Sequence, residues 1–382
     1  MSQPFVECTA DRFLPMGREL GELSTPHLAI NLPTVRSNVA RVLEAIGDSA
    51  CWRPHLKTTK LPELWSLMLE AGLERFKCST TLELTRLLET APDVDCLLAH
   101  HLDEAGMRVL GALAANHPTA RLSTLVESTE DLDRLPPGVG AFVDVNPGMN
   151  RTGIDYRKQD RILEVVRACG TNWRGLHFYD GHIRSGSETA RRDRAHAGYD
   201  LLIKLDALVG GADELITSGT PTFLHALSHA GLVGTLRHAV SPGTVVLHDV
   251  MSQRLPEIAR LGLQPAAAVV ATVVSHPDEQ IATVNAGSKA IAAEVGDPCC
   301  MVLEHPAAVP MRPSEEHLPI RFRSDVTIPP RGTPLTLVPE HVCPTVNLAR
   351  TVLLVDDGIT RLANNVAGGH TPALDQVPDL QY

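Results

Sequence analysis

Four short stretches of the chain carry side chains that could do chemistry. The first is Arg53-Pro54-His55-Leu56-Lys57-Thr58-Thr59-Lys60. Lys57 ends an apolar run over residues 51–57 that reads as a strand. An amine partly desolvated at such a strand end has a lowered pKa and can form a Schiff base; a solvated surface lysine is the plainer reading. The second is a pair of loops, Thr217-Ser218-Gly219-Thr220-Pro221-Thr222 and Ser241-Pro242-Gly243-Thr244. Their small and hydroxyl-bearing residues let backbone N–H groups approach a phosphate, although each alone also fits an ordinary turn. The third is His341-Val342-Cys343. On an extended segment, positions i and i+2 point to one side, and a nitrogen with a thiolate selects zinc over magnesium or calcium. Two protein donors leave room for water and substrate, while a buried core pair is the plainer reading. The fourth is Tyr179-Asp180-Gly181-His182, where His182 could act as a general base at neutral pH or be a solvated residue in a strand-end turn.

The elements that would position these residues alternate. Short apolar runs over 51–57, 75–79, 96–100, 122–126, 141–146, 175–180, 214–218 and 244–248 read as strands. Amphipathic runs over 34–46, 61–71, 82–88, 104–115, 161–169 and 195–208 read as helices. In the first of these Val35, Val39, Val42, Leu43 and Ile46 share one helical face. Such alternation with right-handed crossovers gives a parallel sheet, and eight strands suit a closed (β/α)8 barrel; a doubly wound open sheet is the competing architecture. In the barrel, Lys57 would sit at the C-terminal end of the first strand, and the two phosphate-type loops would fall near strands seven and eight, the usual cradle. Beyond about residue 250 the runs at 267–275, 280–285, 301–304, 335–338 and 351–355 are rich in apolar and β-branched residues, with few helical intervals between them. The expected organisation is therefore a barrel over 25–248 and a mostly-β domain over 249–382, to which residues 1–24 could add. The end of the chain after Gly369 reads as loosely attached.

Of 382 residues, 43% are hydrophobic and 21% charged, and the net charge is −11. This composition excludes disordered and fibrous classes, and the acidic balance argues against a nucleic-acid partner, which would need a basic stripe. No apolar run approaches the length needed to span a bilayer, and the opening MSQPFVECTADRF lacks the pattern of a secretory signal. The eight cysteines are scattered without a CxxC pair, as expected for reduced thiols in a reducing compartment such as the cytoplasm. A small-molecule partner is the expectation.

Taken together and in order, RPHLKTTK, VNPGMNRTGI, GLHFYDGH, SGTPTF, SPGTVVLHD, VNAGSKA, PSEEH and PEHVCPTVNL resemble the D-threonine aldolase and D-serine dehydratase family of pyridoxal-phosphate enzymes, within the alanine-racemase-like fold type. The resemblance runs from about His27 to Ala367. It implies that Lys57 holds pyridoxal 5'-phosphate as a Schiff base, with Arg151 beside the pyridine ring and Tyr179 packed near the cofactor. Ser218, Gly219, Thr220, Gly243 and Thr244 would hold the phosphate. His341 and Cys343 would bind a divalent metal (zinc, manganese or magnesium) beside it, and the enzyme would be a homodimer. It also implies a D-3-hydroxyamino-acid substrate. Retro-aldol cleavage would give glycine and an aldehyde, whereas dehydration of D-serine or D-3-hydroxyaspartate would give a 2-oxo acid and ammonia.

Two positions depart from the aldolase pattern. Asp180 stands where a histidine follows the tyrosine, with His182 two residues on, and the metal pair is His-x-Cys rather than His-x-Asp. Three readings are open: His182 takes over the base role, Asp180 binds or orients metal-bound water, or the aldolase reaction is lost. A cofactor-binding carrier without turnover is a separate class of reading, which a second metal site would disfavour.

Overall fold

The computed structural model describes Phe5, residues 8–14 and residues 24–366. Residues after Gly369, and most of 1–24, lie outside the described part. The contacts divide the chain into two units. One holds the described residues up to Val42, Thr58–Leu64, and those from Thr244 onward; the other holds Leu43–Lys57 and Trp65–Gly243.

The second unit is the expected (β/α)8 barrel. Parallel strands Arg75–Cys78, Asp95–Leu98, Arg121–Val126, Gly140–Asn146, Trp173–Phe178, Glu214–Thr217 and His238–Val240 follow one another in the sheet. The ring is closed by the segment around residues 52–56, which is a pair of single bridges rather than a regular strand. Trp52 pairs with Val240 and His55 with Lys77. The Arg53 N–H donates to the Val240 carbonyl (2.9 Å) and the Leu56 N–H to that of Lys77 (2.7 Å). These strands are nearly continuous apolar runs because both of their faces are buried.

The eighth strand differs from the expectation. Residues 244–248 form a tight turn, opened by Thr244–Val246, in which His248 N–H bonds the Thr244 carbonyl. The ladder position belongs instead to the three residues His238–Val240, too short to stand out in the sequence. The helices lie close to where their periodicity places them, except that the run read as 195–208 begins at Glu188. Its first turns are polar and show no apolar period. Ser187 starts the helix by accepting from the Ala190 N–H at 3.2 Å.

At the N-terminal end of the barrel strands, Arg53 is fully buried. It makes a two-pronged ion pair with Glu214 (3.0 and 2.8 Å) and another with Asp95 (2.9 Å). Burial opposes its charge, but Glu214 and Asp95 outweigh burial and raise its pKa.

The first unit is mostly β, in one nine-stranded sheet. Its spine is Ala267–Asp278, whose opening residues are buried on both faces. That strand pairs antiparallel with Ile281–Val284 and Pro334–Pro339. His27–Asn31, placed by sequence within the barrel range, belongs here. It runs antiparallel to Ala267–Asp278 and parallel to Thr351–Asp356. A lone N-terminal strand carries no local sign of a partner more than 200 residues away.

Candidate active site

At the C-terminal mouth of the barrel a cavity of about 310 Å3 is lined by His55, Lys57, Lys77, Ser79, Ala99, His100, His101, Leu125, Arg151, Thr152, His177 and Tyr179. This is the end of a barrel where active sites form. Lys57 and His55 come from the closing segment, and the Lys57 N–H approaches His55 Nδ1 at 3.4 Å. Lys57 and Arg151 line the cavity beside the buried amine of Lys77 and, among its described lining residues, none is acidic. That balance suits an anionic ligand.

The Tyr179 ring is a fixed wall of this cavity. The Arg151 guanidinium lies 4.7 Å and Lys77 Nζ 5.5 Å from its centroid. Two glycines make room for the ring. A Cβ on Gly181 would fall 2.3 Å from the Tyr179 hydroxyl, and one on Gly219 would fall 3.0 Å from Cε2.

Beneath the cavity runs a chain of hydrogen bonds. Lys77 Nζ is 3.3 Å from His177 Nε2, and His177 Nδ1 is 2.7 Å from Asp144 Oδ1. Asp144 Oδ2 accepts from Thr152 Oγ1 at 2.8 Å and lies 3.2 Å from His101 Nε2. Asp144 and His177 are register partners on neighbouring strands, which is why the two side chains meet. Burial would raise the Asp144 pKa, but His177, His101 and Thr152 hold it well below the usual carboxylate range. Burial, then Lys57 and Arg151, push Lys77 well below an ordinary lysine. Burial, Lys57 and Lys77 likewise depress His55. His101 moves the other way, because Asp144 and Glu127 outweigh its burial.

The loops expected to hold a phosphate also show a fit. Ser241 follows the strand His238–Val240, and its N–H donates to the Thr217 carbonyl at 3.1 Å. Thr220 lies in the loop after the neighbouring strand Glu214–Thr217. The hydroxyl oxygens of Thr220 and Ser241 are buried and have no hydrogen-bond partner among the described residues. Buried polar atoms are rarely left so, and phosphate oxygens would satisfy both. Ser218 is fully buried with a φ of 58°, and Gly243 is buried. Thr244 differs from the expectation: its hydroxyl is engaged 3.3 Å from Cys343 Sγ.

In the β unit, His341 is the extended residue before the helix Val342–Leu348, and Cys343 sits in that helix's first turn. The pair therefore straddles a helix start rather than lying on an extended segment. Thr58 Oγ1 is 3.1 Å from the Cys343 sulfur. Glu294 Oε1 is 2.6 Å from His341 Nδ1, which leaves Nε2 as the nitrogen open to a metal. Burial opposes protonation of His341, but Cys343 and Glu294 raise its pKa to about 9. Among the described residues no group of three or more His, Cys, Asp or Glu side chains forms a complete metal site. The chemistry of this two-donor set fits a soft divalent cation.

Two expected catalytic residues lie elsewhere. Asp180 is buried, with one carboxylate oxygen accepting from Tyr199 at 2.6 Å and the other from Thr222 at 2.5 Å, and it does not line the cavity. Burial raises its pKa, partly offset by those two donors. It fastens the strand end to the following helix rather than facing a substrate. His182 is exposed and also outside the lining. The imidazoles that do line the cavity are His55, His100, His101 and His177. Of these, His100, His101 and His177 are not among the candidates drawn from the sequence, nor are Lys77 and Asp144. The available signal was a charged or ring-nitrogen residue inside a short apolar strand, as in Arg-Phe-Lys-Cys and Ala-Phe-Val-Asp-Val-Asn.

A family model described as a putative serine dehydratase domain matches residues 266–355, a stretch that includes His341 and Cys343. A D-threonine aldolase of Arthrobacter sp. is 26% identical over 372 residues, covering 90% of this chain and 92% of the relative. The family resemblance is borne out. The D-threonine aldolase structure from Filomicrobium marinum superposes with a TM-score of 0.80 at 22% identity, covering 93% of this chain and 97% of that one. The D-threo-3-hydroxyaspartate dehydratase from Delftia sp. HT23 gives 0.76 at 21%, covering 91% and 98%. At these identities the two structures speak for the fold alone. Among the described residues no helix is long and apolar enough to cross a membrane.

Proposed function

We propose that the chain is a pyridoxal-phosphate-dependent lyase of D-3-hydroxyamino acids that cleaves D-threonine-like substrates at Cα–Cβ to glycine and an aldehyde. The relatives are lyases of hydroxyamino acids by name, one an aldolase and one a dehydratase. The observation that carries the reading is the cation-lined cavity into which Lys57 opens. The orphaned hydroxyls of Thr220 and Ser241 support a phosphate site in the same unit.

Pyridoxal phosphate, when bound, supplies an electron sink for bonds breaking at Cα. Lys57 would attach it, Tyr179 would wall it in, and Arg151, whose charge is never given up, would stay cationic beside it. Ser218, Gly219, Thr220, Ser241 and Gly243 would hold its phosphate. His341 and Cys343 would hold a divalent cation, which as a Lewis acid lowers the pKa of a bound hydroxyl. With Asp180 fastened in the fold and His182 exposed, we assign base duty to the imidazoles of the cavity. A homodimer in a reducing compartment belongs to the same reading.

The dehydratase reading rests on one observation, the thiol at position 343 within the stretch matched by the serine dehydratase model. Product analysis after reconstitution with pyridoxal phosphate and zinc or manganese separates the two. Stoichiometric glycine from D-threonine supports cleavage; ammonia with a 2-oxo acid and no glycine rejects it in favour of dehydration.

A further inference from the structure

The proposed reaction gives Lys77 no part, yet this amine is built into the cavity at a cost. It belongs to the strand Arg75–Cys78, is 2% exposed, and would be replaced by an apolar side chain if packing alone decided. We propose that Lys77 is a second acid–base group of the cavity, handing protons between the substrate's Cα and the His177–Asp144 pair. The inference rests on the lyase reading above.

The geometry sets the direction of each hydrogen bond. Asp144 Oδ1, 2.7 Å from His177 Nδ1, holds the ring proton on that nitrogen. The lone pair of Nε2 is thereby turned to Lys77 Nζ, 3.3 Å away. One N–H of Lys77 is spent on Nε2, and the rest of the amine serves the cavity that the side chain lines. Burial together with Lys57, Arg151 and Arg53 disfavours an ammonium here, and Asp144 alone opposes them. An amine whose pKa is lowered toward the working pH can take a proton and return it.

In the direction of glycine exchange, Nζ takes the proton from Cα and the C–H electron pair stays on the substrate. Nζ then passes a proton to Nε2 of His177, and the imidazolium formed is neutralised by Asp144. The reverse delivers the proton that completes glycine after Cα–Cβ cleavage. His101, 3.2 Å from the second oxygen of Asp144 and about a quarter exposed, gives the pair an outlet to solvent.

The test uses the full chain loaded with pyridoxal phosphate and supplied with glycine in D2O, the loss of the α-hydrogen being followed by proton NMR. Lys77→Met is expected to slow exchange by roughly 100-fold or more while the cofactor's absorbance band stays. His177→Gln still accepts a bond from Nζ but cannot store a proton; it should slow exchange and shift its pH profile. Exchange unchanged in both variants overturns the proposal. A second measurement needs no cofactor: in the 15N-lysine-labelled protein, the Lys77 amine, assigned by its absence in Lys77→Arg, should be neutral at pH 7. Titration alongside the surface lysines overturns the proposal. Wild-type protein that takes up no cofactor and exchanges no glycine fails the lyase reading itself, whereas exchange that persists in Lys77→Met fails this inference alone.

Discussion

The two ends of the barrel treat charge in opposite ways. At the N-terminal end one buried cation, Arg53, faces two carboxylates, Glu214 and Asp95, at hydrogen-bond distance. At the C-terminal end the basic side chains of Lys57, Lys77 and Arg151 line one cavity with no acidic residue among its described lining, and Asp144, hydrogen-bonded beneath it, is already engaged by His177, Thr152 and His101. The first arrangement is compensated and closes the fold. The second leaves positive charge unspent, the state expected of a site waiting for an anion. A barrel can carry both because its ends are separated by the layers of apolar side chains between them.

Four substitutions would break or sharpen that contrast. Lys57→Ala at the functional end should abolish the cofactor's absorbance band and lower turnover on the order of a thousandfold or more, with little change in the urea midpoint; a retained band would remove Lys57 from the attachment role. Arg53→Met at the closing end should do the reverse. It strands two buried carboxylates and should destabilise by about 3–5 kcal/mol, while adding Glu214→Leu should recover part of that loss in the same urea titration. Cys343→Ala should weaken zinc binding by at least about a hundredfold, read by chelator competition, and leave the cofactor band in place.

The smallest effect carries a sign opposite to that of Arg53→Met. The folded-state pKa of Lys77 is depressed, so between that value and the unfolded value of about 10.4 the unfolded chain binds more protons than the folded one. Wild-type stability at this group therefore rises with pH through that window. Lys77→Met should be more stable than wild type at pH 7. The advantage should vanish above about pH 10.5. Denaturation midpoints of the two proteins across that range decide it, and a variant less stable at pH 7 would show that the amine is held as a stabilising cation.

Much of the barrel was legible because its signals are local. A strand buried on both faces is an apolar run wherever it lies, and an amphipathic helix repeats its own period. That Lys57 reaches the cavity lining was legible for the same reason, since it sits in a recognisable stretch at the end of such a run. The errors came from contacts that no window contains. Asp180 looked available because its burial depends on Tyr199 and Thr222, 19 and 42 positions further along. Lys77 and His177 lie 100 positions apart, and each is a single polar residue inside an apolar strand until the sheet curls and sets them side by side. Residues 27–31 fell within the expected barrel range because their sheet partners begin at Ala267 and Thr351, far outside any local stretch.

The two bare positions that flank Tyr179 have a further consequence. With hydrogen alone at 181 and 219, the phenol drops into a slot whose sides are main chain, and a methyl group at either would meet it at or inside contact distance. The aromatic plate is thus seated before any guest arrives. Discrimination among guests then falls to the side of the chamber opposite it, where exchanging a residue alters what is accepted without disturbing the seat.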